Sequence, residues 1–95
     1  MNLTPNQVAE ERVRLATEYS SDTETLIDIR TKKAQIWNDL RVNFKSDTAT
    51  ERAWQGTLLG IEEMKLGLRM KASEKMMSAL KSQLEVMEGE ARNSY

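Results

Sequence analysis

The densest group of chemically capable side chains lies between Met64 and Leu84. There Lys65, Arg69, Lys71, Lys75 and Lys81 stand against Glu74 alone, interleaved with Met64, Met70, Met76 and Met77. On a helix such a run makes a basic amphipathic surface that can meet phosphate backbones or an acidic partner, and methionine suits adaptable apolar contacts. Lys65, Arg69, Lys71 and Lys75 are therefore the candidate nucleic-acid contacts. Few aromatic residues are available for base stacking and no groove-recognition motif is present, so a solvated charged face around a methionine-rich core explains the same residues more simply. Arg30, Lys32 and Lys33 form a smaller basic patch of the same kind.

Carboxylates are paired at Glu10-Glu11 and Glu62-Glu63 and clustered at Glu85, Glu88 and Glu90. Neighbours on a helix point about 100° apart, so these pairs do not converge on one ion or one proton. The chain has no histidine and no cysteine, which removes the commonest general acid/base, the commonest metal ligands and any thiolate nucleophile. Ser73, Ser78 and Ser82 have no base to activate them, and no phosphate loop, nucleophile elbow or calcium-loop pattern occurs. The expectation is a chain with no catalytic residues, no metal site and no cofactor, and so not an enzyme.

The elements that position these side chains must be helices. Leu, Met, Ala, Glu, Lys and Gln dominate, with one proline, four glycines and one phenylalanine in 95 residues, a composition that favours helix over strand. The length allows one domain, residues 1–95, with a core of modest size. The formal net charge is −1, so bulk electrostatics selects no class of partner. No run of about 18 apolar residues exists and the N-terminus lacks a basic region followed by an apolar stretch. A cytoplasmic protein without membrane contact is expected.

Thr4, Pro5 and Gln7 form a capping box with proline at the first helical position, and Leu3 can staple onto Val8. Helix 1 is expected over about 5–44, with a seven-residue seam of Val8, Leu15, Ile29 and Ile36 beside Tyr19, Leu26 and Leu40. Trp37 and Phe44 adjoin that seam, while Arg12, Asp22 and Lys33 interrupt it. Residues 20–25 are poor helix formers and could break the helix. A turn is expected at about 45–48, with Thr48 and Glu51 capping a helix 2 over about 49–91. The fold class is all-α: a long antiparallel helical hairpin with coiled-coil-like packing, or a three-helix arrangement if helix 1 breaks.

At 100° per residue the apolar positions of helix 2 separate into two stripes about 120° apart. Trp54, Leu58, Ile61, Leu68 and Ala72 form one; Leu59, Leu66, Met70, Met77, Leu80, Leu84, Met87 and Ala91 form the other. One neighbouring helix cannot cover both, and exposing several large side chains at about 1.5–3 kcal/mol each would undo much of a small domain's stability. A second contact surface is expected, in a homo-oligomer, most simply a dimer, or with another protein. Leu59, Leu66, Met70, Met77, Leu80, Leu84 and Met87 are assigned to it. Gly56, Gly60 and Gly67 flank this stripe and suggest either close approach of another backbone or a loosely formed first half of helix 2.

The C-terminal stretch Lys75-Met76-Met77-Ser78-Ala79-Leu80-Lys81-Ser82-Gln83-Leu84, followed by Glu88-Gly89-Glu90-Ala91-Arg92-Asn93, resembles small helical accessory proteins encoded in bacteriophage genomes among early or recombination genes. The likeness covers about the last third of the chain. It implies a non-enzymatic phage protein that binds a host or phage protein, for instance as an inhibitor, or that assists the handling of DNA. It carries over no functional residue.

Overall fold

The computed structural model describes the backbone of residues 3–93 and the side chains of residues 3–90. Among these the chain forms three helices and no strand: α1 over Pro5–Arg41, α2 over Asp47–Gln55 and α3 over Leu58–Asn93. α1 and α3 run antiparallel along most of their lengths, so the expected hairpin is present, and α2 fills the closed end. The result is a rod with extents of 70 × 20 × 19 Å.

The start of α1 follows the sequence closely. The Thr4 hydroxyl accepts from the Gln7 backbone N–H at 3.2 Å, and the Gln7 side chain accepts from the Thr4 N–H at 2.8 Å, which satisfies two of the donors a helix start leaves open. The helix then runs without interruption through residues 20–25. The hydroxyls of Thr17, Thr23, Thr25 and Thr31 donate to carbonyls one turn back. These β-branched and polar residues are accommodated within the helix rather than ending it.

Both ends of the turn differ from expectation. α1 stops at Arg41, three residues early, because the Asn43 and Phe44 N–H groups bond back to Leu40 and Arg41 carbonyls in tighter turns. The Arg41 guanidinium then straps the loop by pairing with Asp47 at 2.9 Å and bonding the Phe44 carbonyl. The cap of α2 is Ser46 rather than Thr48: its hydroxyl accepts from the Ala49 N–H at 3.1 Å, and its carbonyl accepts from the buried Thr50 hydroxyl at 2.8 Å. Asp47 thereby enters the first turn, where a carboxylate is favoured by the helix dipole.

The second arm is the larger correction, since it is broken at Gly56 and Thr57 instead of continuing over 49–91. Gly56 closes α2. Thr57 bridges the break, its hydroxyl donating to the Trp54 carbonyl at 2.7 Å and accepting from the Gly60 N–H at 3.0 Å. Gly60 packs on the end of α2 so closely that a Cβ there would collide with the Trp54 carbonyl. Close backbone approach is thus the role of Gly60, though the approaching backbone is the chain's own.

The seam between α1 and α3 holds two apolar clusters. Val8, Leu15 and Leu80, with Leu3, Met77, Leu84 and Met87 around them, occupy the end where the chain begins and ends. Ile29, Trp54 and Leu66, with Ile36, Trp37, Leu40 and Leu59, occupy the closed end. Between them lies a polar waist. Asp22 and Ser73 are buried there, Asp22 takes two hydrogen bonds from Arg69 at 2.6 and 2.8 Å, and Tyr19 donates to Glu74 at 2.6 Å.

Candidate interaction surface

The stripe assigned to association is used inside the chain. Leu66 and Leu80 are buried, and Leu59, Met77, Leu84 and Met87 pack on the two clusters formed with α1. Met70 is half-buried, and the Ala91 side chain lies outside the described residues. Of the two stripes, this one has the continuous seven-residue rhythm that matches α1, so the two arms cover it mutually. The large apolar side chains that α1 leaves uncovered lie elsewhere.

They lie along the other stripe, at Leu58, Ile61, Leu68 and Ala72, joined by Met64, Met76, Ala79 and Val86, which sequence reasoning places in neither stripe. Leu58, Met64, Leu68, Met76 and Val86 are between 48% and 86% exposed, Ile61 is half-buried, and Ala72 and Ala79 are exposed between them. At 100° per residue these positions form a band on the side of α3 turned away from α1. A shallow groove lined by Leu58, Ile61, Glu62, Lys65, Leu66 and Arg69 opens along its N-terminal part. Trp54 was grouped with this stripe on the assumption of one continuous helix. The break resets the helical phase, and its side chain is fully buried against the closed-end cluster.

The basic residues divide. Arg69 is committed to Asp22, and that carboxylate holds the guanidinium pKa above its ordinary value by hydrogen bonding and charge. Lys65, Lys71 and Lys75 are exposed and have no ion pair among the described residues. Lys65 and Arg69 share one edge of the apolar band, while Lys71 and Lys75 share the opposite edge, about 120° around the helix. The four do not form a single row.

Two of the three polar interruptions of the α1 seam prove to be cross-helix partners. Asp22 meets Arg69. Lys33 reaches Glu51 at 3.2 Å and Glu63 at 3.5 Å and lies 5.3 Å from the Trp54 ring centroid, a cation–π distance. Trp37 and Trp54 donate their indole N–H groups to Glu51 at 2.9 Å and to Glu63 at 3.1 Å. The carboxylates of Glu51 and Glu63 thus tie all three helices together. Every buried side-chain nitrogen or oxygen among the described residues has a partner, so this group is a satisfied structural network.

Comparison with protein families, curated proteins and solved structures finds no match. The reading of function therefore rests on surface geometry. Among the described residues no cluster of three or more acidic side chains could hold a metal ion, and no helix is long and apolar enough to cross a membrane. The feature that sequence reasoning missed, the break after Gln55, carries a local signal: Gly56 at a helix end, then Thr57 three residues before Gly60, fits a stop followed by a cap.

Proposed function

We propose that this protein is a non-enzymatic interaction module that self-associates or docks a protein partner through the outward face of α3, in the manner of a phage-type accessory or inhibitor protein. The carrying observation is the surface left uncovered. The chain exposes 7286 Å², whereas a compact monomer of 10.9 kDa would expose about 5,600 Å². Its radius of gyration is 20.0 Å against about 12 Å for a compact chain of this length. A band of large apolar side chains runs along that extended surface, and such bands mark interaction sites. The split of the lysines onto opposite edges weakens the alternative of a phosphate-contacting row.

The test compares the wild-type chain with Leu68→Glu, first by light scattering across a concentration range and then by capture of bound proteins from a cell extract. The charge at Leu68 should remove whatever association the wild type shows, with helicity unchanged because the side chain is largely exposed. If the wild type neither self-associates nor retains a partner that Leu68→Glu loses, the reading fails.

A further inference from the structure

We infer that the outward face of α3 from about residue 65 to its end, which carries Leu68, Ala72, Met76, Ala79 and Val86, is covered by a second copy of this chain, packed α3 against α3 and antiparallel about an axis near Ala79; this rests on the reading of that face as an association surface. The charge distribution along α3 sets the direction. Residues 64–81 carry five basic side chains against one acidic, and residues 82–93 carry Glu85, Glu88 and Glu90 against Arg92 alone. Parallel packing would run the basic middles of the two helices side by side at the same level. Antiparallel packing lays the basic middle of each helix along the acidic end of the other and brings Lys71 next to Glu85 of the second copy. Unlike charges on the flanks of a helix pair favour one orientation, and like charges disfavour the other.

The side chains in the band fit that axis. Ala79 meets Ala79 of the second copy, and Ala72 meets Val86. All three positions are exposed in the single chain. Small residues at the crossing allow the axes to approach to about 8 Å, the near end of the usual range. Met76 lies beside Ala79 in the band and can adapt to the facing Gln83 of the second copy.

The area bears on strength. About 28 residues of shared helix span roughly 42 Å, and a contact strip about 10–12 Å wide covers roughly 450 Å² on each copy. That lies below the roughly 800 Å² per partner of a standard stable interface. The dimer should accordingly be weak and concentration-dependent.

The natural absence of cysteine makes single-thiol variants of the full chain direct reporters of orientation. Ala79→Cys should cross-link to itself under mild oxidation. Ala72→Cys and Val86→Cys should each cross-link poorly alone and several-fold better when mixed. Light scattering of the wild-type chain should move from one chain toward two as concentration rises, with several-fold weaker association between 50 and 500 mM salt. Efficient self-linking of both Ala72→Cys and Val86→Cys would mean parallel packing and overturn the proposal while preserving the face. A one-chain mass at every concentration would overturn the second copy, leaving the face to be judged by the Leu68→Glu capture experiment. A dimer that no thiol pair joins and that Leu68→Glu does not weaken would overturn both.

Discussion

Removing either side of the Asp22–Arg69 pair breaks the same two hydrogen bonds but strands a different group. Arg69 is well exposed on its own side chain, whereas the Asp22 side chain is 12% accessible. Arg69→Ala therefore leaves a carboxylate inside the seam without its donor and should lower stability more than the reverse change. Asp22→Ala frees a guanidinium that swings into water and should lower stability less. Urea unfolding midpoints of the two variants would show the order, and equal losses would mean that Asp22 reaches water more easily than its burial implies. Tyr19 offers a second test. The hydrogen bond to Glu74, then desolvation and the negative charge of that carboxylate, raise its pKa above the ordinary 10.0. Because the folded state holds this proton more tightly, the contribution to stability is complete below the unfolded value and is lost as pH rises through the folded one. Ultraviolet titration should find a phenol ionising later than in the unfolded chain, and Glu74→Ala should erase the delay.

At the scale of elements, the two glycines that begin α3 should respond in opposite directions to the same substitution. Gly67→Ala, with open space around the added methyl, should stabilise the helix by up to about 1 kcal/mol. Gly60→Ala drives a Cβ into the Trp54 carbonyl and should destabilise despite the better helix propensity, by about 1–3 kcal/mol as overpacking does. Thermal unfolding followed by circular dichroism measures both. The contrast also shows what the sequence made legible. The capping box of α1, the Val8, Leu15, Leu26 and Ile29 seam and its antiparallel partner follow from local spacing, which a heptad reports directly. The break at Gly56 is masked in the sequence because one glycine and one threonine stand between good helix formers, Gln55 on one side and Leu58 and Leu59 on the other, while the packing of Trp54 with Ile29 and Leu66 that accompanies the break is a tertiary contact. The choice between the stripes of α3 was hidden for a related reason: each is apolar enough to pack, and only the matching rhythm of α1 decides which one it takes. Asp22 and Lys33 looked like defects in the seam because their partners, Arg69 and the pair Glu51 and Glu63, lie 18 to 47 residues away.

At the scale of the whole molecule, shape separates one chain from the proposed dimer. A monomeric Leu68→Glu chain should scatter X-rays with a radius of gyration near 20.0 Å. Two 70 Å rods overlapping about Ala79 share roughly 42 Å at 1.5 Å per residue, so the dimer should be about 100 Å long, which a distance distribution would reveal. The polar waist has a consequence for how the rod comes apart. One apolar cluster is closed by the loop and α2, while the other holds only the two ends of the chain together, and the waist interrupts apolar contact between them. Opening should therefore begin at the free ends and pause at Asp22, as a zipper stops at its clasp. Hydrogen exchange should be fastest for amides near Val8 and Leu84 and slowest near Ile29 and Leu66, and a protease should trim both ends before it cuts the closed half.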